Sequence, residues 1–281
     1  MRFTKMHGIG NDYVYVSRFD EPLAGVDLPA LAVALSDRHR GVGSDGLILI
    51  GPADAADVRM EMYNADGSRA QMCGNGIRCL AKYAWEHSLA SGNPMRVQTD
   101  AGVKTLDLTI VGGKVTAVRV DMGPPILASD AIPMRLEPPA EPVVNVPMEV
   151  AGQRFELTAV SMGNPHAVFF VDDAGVVPLE VWGPQVEHAS MFPERTNVHF
   201  VQVLGRDRVV MRTWERGSGA TLACGTGACA VCVAGVLTGR TDRPIVAELP
   251  GGELQIEWAD ADATVYMTGP ASEVFTGEWP L

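Results

Sequence analysis

The chain has 281 residues, of which 47% are hydrophobic and 20% are charged, and it carries a net charge of −12. These proportions are typical of a globular protein with one large domain or two medium ones. An acidic chain without a basic cluster is repelled by a phosphate backbone, so we expect no nucleic-acid partner. No apolar run reaches the roughly 18 residues of a membrane span, and the first residues lack the apolar core of a signal peptide. We therefore expect a cytoplasmic protein without membrane attachment.

The first half of the chain predicts short strands and two helices. The predicted strands are 2–5, 13–16, 47–50, 58–63, 95–99, 103–110 and 115–122. One helix is predicted at 29–37, where a proline occupies the first turn, and a second at 75–87, where the residues are largely apolar.

A proline-rich segment separates this half from the next. Residues 123–147 contain seven prolines and little periodicity, which indicates a crossing between domains. We predict an N-terminal domain at 1–123 and a C-terminal domain at 124–269. The strand-like tail, 270–281, is predicted to pair back onto the first domain.

The second half repeats the order of elements found in the first. Its predicted helices are 179–189 and a buried helix that runs from a turn at Cys224 to about residue 237. Its predicted strands are 155–160, 167–171, 198–203, 209–214, 246–249, 254–258 and 264–267.

Two short segments carry the same pattern, one in each half: "AQMCGNGIRCLA" at 70–81 and "TLACGTGACAVC" at 221–232. In each, one cysteine, Cys73 or Cys224, precedes a Gly-x-Gly turn that opens a helix. Glycine permits the sharp turn, and the first amides of the helix have no intrahelical partner. Such an N-terminus attracts anions and is expected to lower the pKa of a neighbouring thiol.

Further polar residues precede the two cysteines at similar distances, which extends the repeat. The matched pairs are Asn64 and Glu215, each nine residues before its cysteine; Asn11 and Asn164, 62 and 60 before; and Asp45 and Asn197, 28 and 27 before. We therefore predict an α+β fold of two pseudo-symmetric domains. Each is expected to be a curled, mostly antiparallel sheet around one central helix.

The duplicated thiols predict proton exchange at a carbon centre. One thiolate removes a proton from one face, the other thiol returns a proton to the opposite face, and the configuration inverts. The negative charge that develops on an adjacent carboxylate needs hydrogen-bond donors, and two helix N-termini can supply them. The duplication favours a two-base racemase or epimerase that requires no pyridoxal phosphate or other cofactor.

The remaining cysteines suggest other uses that the sequence disfavours. Five cysteines are an odd number, which does not fit a disulfide scaffold. Cys229 and Cys232 form a C-x-x-C, but it lies inside an apolar helical pattern and lacks the spacing of a zinc site, so no metal is expected. With Cys79, they are expected to be small buried hydrophobes. A regulatory dithiol of Cys73 and Cys224 would leave the polar residues at matched positions of the repeat unexplained.

Five segments resemble, in order, the signature segments of the diaminopimelate epimerase family. They are "HGIGNDYV", "MYNADGSRAQMCGNGIRC", "GNPHAV", "RTNVHF" and "WERGSGATLACGTGACA". The resemblance implies a cofactor-independent epimerase that interconverts LL- and meso-diaminopimelate in lysine and peptidoglycan precursor biosynthesis. It also implies the two-domain fold and a homodimer.

Carried over by position, the resemblance assigns roles to individual residues. Cys73 and Cys224 match the paired acid/base thiols. The donors to the reacting carboxylate match Gly74, Asn75, Gly225 and Thr226. The polar groups around the distal amino acid end match Asn11, Asn64, Asn164, Asn197, Glu215 and Arg216. Among these, Arg216 suits a carboxylate by bidentate pairing, and Glu215 suits an ammonium.

Three further positions leave alternatives open. His166 matches a histidine near the thiols, but it would equally serve as a structural hydrogen-bonding group in the "NPH" turn. Gly46 stands where some family members carry a glutamine, and Ala220 stands where many carry a glutamate. These departures concern substrate contacts rather than the core chemistry. The alternative activity is that of a related two-cysteine proline or hydroxyproline racemase. Glu215 and Arg216 argue against it, because they favour a substrate with a second charged end.

Overall fold

The computed structural model describes residues 1–21 and 23–281. In this part the chain forms 18 strands and four helices and divides into two compact units. Unit 1 comprises 1–121 together with 268–281, and unit 2 comprises 122–267. None of the helices in the described residues has both the length and the apolar character that a membrane crossing requires.

The elements up to residue 121 are as follows. The strands are β1 (Arg2–Gly8), β2 (Asn11–Ser17), β3 (Gly46–Gly51), β4 (Val58–Asn64), β5 (Arg69–Ala70), β6 (Met95–Thr99), β7 (Gly102–Val111) and β8 (Lys114–Asp121). The helices are α1 (Leu28–Ser36) and α2 (Gly74–Glu86).

The remaining elements continue in chain order. The strands are β9 (Val143–Val150), β10 (Gln153–Ser161), β11 (Pro165–Phe170), β12 (Asn197–Gly205), β13 (Arg208–Glu215), β14 (Gly219–Thr221), β15 (Ile245–Leu249), β16 (Gly252–Trp258), β17 (Val265–Gly269) and β18 (Ser272–Glu278). The helices are α3 (Leu179–Glu187) and α4 (Gly225–Leu237).

The strands of unit 1 pair in a mostly antiparallel sheet around α2. β1 pairs antiparallel with β2 and β18, β2 runs parallel to β3, and β3 is antiparallel to β4. β4 is antiparallel to β5 and parallel to β6, and β6, β7 and β8 follow as antiparallel neighbours. Helix α2 packs against β1, β2, β3 and β8.

Unit 2 repeats this pairing strand for strand. β10 pairs antiparallel with β11 and β9, β11 runs parallel to β12, and β12 is antiparallel to β13. β13 is antiparallel to β14 and parallel to β15, and β15 is antiparallel to β16. Helix α4 packs against β10, β11, β12 and β16. The fold is α+β, with two pseudo-symmetric units that each enclose one central helix.

The helix boundaries follow from local chemistry. Asp27 caps α1 by accepting a hydrogen bond from the Ala30 amide at 3.1 Å, with Pro29 in the first turn. Helix α4 is apolar on every side, which is expected of a helix covered by a sheet all round. Helix α2 differs, because it carries Arg78, Lys82 and Glu86 at helical spacing.

The proline-rich segment is not entirely a crossing, which corrects the prediction for 123–147. Strand β9 begins at Val143 and includes Pro147, which lies opposite Glu156 of β10. Residues facing the core alternate here with exposed Asn145 and Pro147, so the segment has strand periodicity despite its prolines. Proline is tolerated where its missing N–H would not serve a ladder hydrogen bond.

Strand register also corrects one matched pair of the sequence repeat. Gly46 lies opposite Asn64 between β3 and β4. The pairing of Val198 with Trp214 continues to place Asn197 opposite Glu215 between β12 and β13. The structural counterpart of Asn197 is therefore Gly46, and the match to Asp45 was wrong by one residue because it relied on side-chain polarity.

Candidate active site

In unit 1 the candidate site is built on the first turn of α2. Cys73 is the N-cap residue with an extended backbone, and its Sγ accepts a hydrogen bond from the Gly76 amide at 3.4 Å. The first helical hydrogen bond runs from the Ile77 amide to the Cys73 carbonyl at 2.8 Å. The amides of Gly74 and Asn75 precede it and have no intrahelical acceptor.

Asn11 is oriented so that its amide oxygen lies beside Cys73. Its Nδ2 donates to Asp45 Oδ2 at 2.7 Å, which leaves Oδ1 to accept from Cys73 Sγ and from Asn75 Nδ2, each at 3.3 Å. An amide oxygen can only accept, so the thiol must supply the proton in this contact. Cys73 Sγ thus donates to Asn11 and accepts from the Gly76 amide.

A partly exposed ion-pair network holds Asn11 in turn. Arg38 binds Asp12 at 2.7 Å and Asp45 at 2.9 Å, and Lys5 forms an ion pair with Asp12. Burial alone would raise the pKa of Asp12, but the hydrogen bonds from Arg38 and Lys5 outweigh it and lower that pKa. Burial and the nearby Asp12 charge raise the pKa of Asp45. Asp45 Oδ2 accepts the hydrogen bond from Asn11 Nδ2 and thereby fixes the orientation of the Asn11 amide.

Tyr13 is a site residue that the sequence reasoning did not select. Burial, and then the neighbouring Cys73 and Asp45, raise the pKa of its phenol well above the ordinary value. The β2–β3 register places Tyr13 beside Gly46, as the β11–β12 register places His166 beside Asn197. Tyr13 follows Asn11 by two residues, as His166 follows Asn164. This shared spacing is the signal in the sequence that could have identified Tyr13.

Asn64 lies at the end of β4, close to the turn into β5. Its Nδ2 donates to Ser68 Oγ at 2.9 Å, and its backbone amide donates to the Ser68 carbonyl at 2.8 Å. Its side chain therefore stabilises this turn.

In unit 2 the corresponding cysteine has different surroundings. Cys224 is the N-cap residue of α4 and is only 4% exposed, and its Sγ lies 3.8 Å from Thr226 Oγ1. Burial and the nearby Glu215 raise the pKa of Cys224 well above the ordinary value, and the Gly227 amide and Thr226 only partly offset this. The expected lowering by the helix N-terminus is overridden here by burial.

Glu215 and Asn197 are both engaged within unit 2. Glu215 Oε1 accepts from Thr221 Oγ1 at 2.6 Å. Asn197 Nδ2 donates to the Pro165 carbonyl at 2.9 Å, and its Oδ1 accepts from the Arg216 amide at 3.0 Å. Asn197 thus joins the end of β13 to the start of β11.

The turn that carries Glu215 and Arg216 is anchored by buried Glu187 at the end of α3. Glu187 accepts from Trp214 Nε1 at 2.7 Å, from the Gly217 amide at 3.0 Å and from Arg195 at 3.3 Å. Arg216 Nη1 donates to the Glu194 carbonyl at 3.1 Å. Sequence reasoning missed Glu187, because nothing in its position on a predicted helix indicates a partner 30 residues away.

His166 lies on β11 and is fully buried, so it does not belong to a turn. Its Nε2 is 2.9 Å from Asn164 Oδ1, and its Nδ1 is 2.9 Å from His199 Nε2. Asn164 Nδ2 donates to Thr226 Oγ1 at 3.5 Å. His166 is thus connected through Asn164 to the first turn of α4.

The departures from the family pattern have different surroundings. A Cβ atom at Gly46 would lie 2.1 Å from the Tyr63 carbonyl oxygen, so a side chain does not fit there without a backbone shift. Ala220 is exposed on β14.

Cys79, Cys229 and Cys232 are fully buried, as predicted, and burial raises the pKa of Cys79 to about 11 and of Cys232 to about 12.

Comparison with known proteins identifies the family of the chain. A family model described as diaminopimelate epimerase matches residues 3–128 and 158–274. The chain belongs to the diaminopimelate epimerase family. Among proteins named diaminopimelate epimerase, that of Moorella thermoacetica is 53% identical over 281 residues, covering 100% of both chains. That of Acetivibrio thermocellus is 52% identical over 282 residues, covering 100% of this chain and 99% of the relative.

Solved structures outside the diaminopimelate epimerases share the fold. A phenazine biosynthesis protein of the PhzF family from Bacillus anthracis has a TM-score of 0.73 at 14% identity, covering 100% of this chain and 99% of its own. A probable proline racemase from Agrobacterium radiobacter has a TM-score of 0.68 at 15% identity, covering 100% and 93%. At such identities the likeness concerns the architecture alone.

Proposed function

We propose that this member of the diaminopimelate epimerase family interconverts LL- and meso-diaminopimelate by a two-base reaction of Cys73 and Cys224, without an added cofactor. The observation that carries the proposal is that each unit begins its central helix at a cysteine N-cap, within the same strand pairing. One thiol on each of two equivalent elements suits a reaction that uses each face of one carbon.

The reaction begins with one thiolate and one thiol. The thiolate takes the α-proton, so that an S–H bond forms as the C–H bond breaks, and the electron pair moves toward the adjacent carboxylate. The second thiol then gives its proton to the opposite face and becomes the thiolate. We assign Cys73 and Cys224 as the acid and the base, with each thiol taking one role in one direction and the other role in the reverse direction.

The charge on the carboxylate has to be stabilised during this exchange. Backbone amides in the first turn of a helix are already oriented along the helix dipole. They therefore need not reorient when negative charge develops on the substrate carboxylate. We assign this role to the amides of Gly74, Asn75, Gly225 and Thr226. A carbon next to a carboxylate is a very weak acid, so stabilisation of the developing charge by two helix N-termini fits the reaction.

The distal amino acid end is assigned to Asn11, Asn64, Asn164, Asn197, Glu215 and Arg216. Arg216 pairs with the distal carboxylate and Glu215 with the distal ammonium, since their charges are opposite to those groups. Leaving a buried charged partner unpaired costs about 2–5 kcal/mol, so a substrate without the distal end is expected to be poor.

Further properties belong to the same proposal. We place the enzyme in the cytoplasm, where its free cysteines stay reduced, and in the synthesis of lysine and peptidoglycan precursors. We also propose a homodimer, because Val274 and Phe275 on β18 are 55% and 47% exposed, an apolar pair suited to an interface. Sedimentation should then give twice the chain mass of 30.0 kDa.

The decisive experiment is turnover of LL-diaminopimelate in D₂O under reducing conditions with no cofactor. We expect meso-diaminopimelate with deuterium on the inverted α-carbon, because the returning proton comes from a thiol that exchanges with solvent. Product without deuterium would contradict the two-base reaction. Lysine and proline serve as comparison substrates, and racemisation of proline at a similar rate would replace the substrate assignment by the proline racemase alternative.

A further inference from the structure

A chain of buried side-chain hydrogen bonds runs through unit 2 and ends at Cys224. Beyond His166, His199 Nδ1 lies 3.0 Å from Thr213 Oγ1, and both histidines are fully buried. The chain thus connects Thr213, His199, His166, Asn164 and Thr226 to Cys224 Sγ through five contacts of 3.0, 2.9, 2.9, 3.5 and 3.8 Å. His199 and Thr213 have no part in the reaction described above.

The donors and acceptors of this chain have one direction. Asn164 Oδ1 can only accept, so His166 Nε2 carries the proton that it donates. A neutral imidazole has one N–H, so His166 Nδ1 accepts from His199 Nε2, and His199 Nδ1 accepts from the Thr213 hydroxyl.

Continuation of the same direction reaches the sulfur. Asn164 Nδ2 donates to Thr226 Oγ1, which leaves the Thr226 hydroxyl hydrogen for Cys224 Sγ. A donor aimed at sulfur favours the thiolate over the thiol.

The neutral state of both imidazoles agrees with their surroundings. Burial lowers the pKa of His199 to about 3. Burial, together with His199 and Arg216, lowers the pKa of His166 well below its ordinary value. Neither ring is therefore charged near neutral pH, and each provides the one donor and one acceptor that the chain needs.

Unit 1 shows that the fold does not require these polar residues. Ile48 lies opposite Met62 between β3 and β4, as His199 lies opposite Thr213 between β12 and β13. A Cβ atom on Gly76 would lie 2.6 Å from Ile48 Cδ1, and one on Gly227 would lie 2.3 Å from His199 Cε1. The two strands thus present apolar side chains to α2 and polar side chains to α4 from equivalent positions.

We propose that His199, held by Thr213, is a positioning residue that fixes the protonated nitrogen of His166 and thereby directs a hydrogen bond onto Cys224. The proposal rests on the role of Cys224 as a base in the proposed function. Burying the His199 imidazole and the Thr213 hydroxyl where unit 1 has Ile48 and Met62 is unfavourable unless their hydrogen bonds are made, which gives the chain a functional reason.

The tautomer is tested directly by long-range ¹H–¹⁵N correlation spectra of protein with ¹⁵N-labelled histidine. The chain has six histidines, and His199→Gln identifies the His199 signals by their loss. We expect His166 and His199 to be neutral Nε2–H tautomers at pH 6. A His166 signal with the proton on Nδ1 would overturn the proposal, whether or not the enzyme accepts diaminopimelate.

The consequence for the thiol is tested by the pH profile of kcat/KM. Replacing both residues by those of unit 1, His199→Ile with Thr213→Met, should lower kcat/KM at neutral pH about 10- to 100-fold. The acidic limb should move up by about one pH unit, because the thiolate loses a donor. The charged groups facing the chain, Glu215 beside Cys224 and Arg216 beside His166, are left unchanged.

Two single variants and a control separate positioning from folding. His199→Gln keeps an N–H donor toward His166 and should restore most of the activity, whereas Thr213→Val should lose about 3- to 10-fold. Thr241→Val, which changes a buried hydroxyl of unit 2 outside the chain, should leave the pH profile as in the wild type.

The outcomes remain distinct from those of the proposed function. A folded double variant with the wild-type pH profile and an unchanged His166 tautomer would overturn the inference. Loss of activity in the wild-type protein itself would instead reject the proposed function, while the tautomer measurement would still decide the hydrogen-bond direction.

Discussion

At the scale of single residues, the two cysteines occupy the same place in their helices but differ in what their sulfur atoms contact. Cys73 lies beside an amide oxygen, which accepts a hydrogen bond from its thiol, and beside the Gly76 amide, which donates to its sulfur. Cys224 lies beside a hydroxyl and close to the Glu215 carboxylate, in a more buried position. A symmetric pair of bases is therefore placed in asymmetric surroundings, which suits a reaction that starts with one thiol and one thiolate.

Removing either thiol tests this assignment. Cys73→Ala and Cys224→Ala should each lower kcat at least ~10²–10⁴-fold, since one acid/base group is lost. Both variants should keep the wild-type circular dichroism spectrum. The matched control is Cys79→Ala in the core of unit 1, which removes a buried thiol and should cost some stability but little activity. Turnover near the wild-type rate in Cys73→Ala or Cys224→Ala would exclude the two-base reaction.

At the scale of elements, helix α3 supports the turn after β13 although it is not part of that turn. A Cβ atom at Gly183 would lie 2.4 Å from Trp214 Cγ, so the absence of a side chain on α3 lets the indole pack closely. Trp214 and the Gly217 amide then both donate to Glu187. The helix thus holds the two ends of the turn that carries Glu215 and Arg216.

Glu187→Gln should loosen that turn, because an amide oxygen is a weaker acceptor than a carboxylate and its NH₂ cannot accept. We expect KM for diaminopimelate to rise about 10-fold, which corresponds to ~1.4 kcal/mol, with a smaller fall in kcat. Steady-state kinetics measure the split between the two. Glu180→Gln, at an exposed position of the same helix, is the control and should change neither constant.

The end of α2 is joined to β8 by Glu86, whose hydrogen bonds make stability depend on pH. Burial alone would raise its pKa, but hydrogen bonds from Lys114, Lys82 and the Val115 amide lower it from 4.5 to about 2. A depressed carboxyl pKa stabilises the fold above pH 4.5, and this contribution is lost as the pH falls toward 2.

Glu86→Gln should therefore lower the free energy of unfolding by about 1–2 kcal/mol at pH 7, and by progressively less below pH 4.5. Urea denaturation at several pH values measures the difference. The exposed Glu156→Gln serves as the control. An equal loss of unfolding free energy at pH 7 and at pH 2 would show that the shape of the Glu86 side chain, rather than its charge, is responsible.

At the scale of the whole molecule, the duplicated fold gives each unit its own thiol, helix N-terminus and asparagine. Unit 1 holds Asn11 through Asp45, whereas unit 2 holds Asn164 through His166. The proposed function assigns residues of both sets to the substrate, so we expect its binding to depend on both units.

Thermal unfolding with and without diaminopimelate tests this dependence. A ligand at 100 times its Kd stabilises the native state by about 2.7 kcal/mol, which should raise Tm by a few degrees. Asn11→Ala in unit 1 and Asn164→Ala in unit 2 should each reduce the shift. Lysine, which lacks the distal carboxylate, is the control ligand. A full shift retained in either variant would mean that the ligand binds without that unit.

Much of this organisation is encoded locally and could be predicted from the sequence. The spacing of Cys73 and Cys224 within their Gly-x-Gly turns predicted two buried helices with cysteine caps, because glycine turns and helix caps depend on neighbouring residues alone. The order of strands followed from their alternation, since a strand has a period of two wherever one face is buried. Proline content, by contrast, concealed β9, because strand pairing tolerates a proline such as Pro147 that needs no ladder bond.

Tertiary structure decided what the functional side chains contact. Strand register, which is set by packing across the sheet, made Gly46 rather than Asp45 the counterpart of Asn197 and brought Tyr13 into the site. Burial, which depends on the whole unit, raised the pKa of Cys224 where a helix N-terminus alone would lower it. His199 and Glu187 gained their partners only through contacts between strands and helices far apart in the chain. The sequence by itself thus determined the two cysteine-capped helices and the repeat around them, and the folded units decided the protonation and orientation of the side chains there, because both depend on neighbours that only packing supplies.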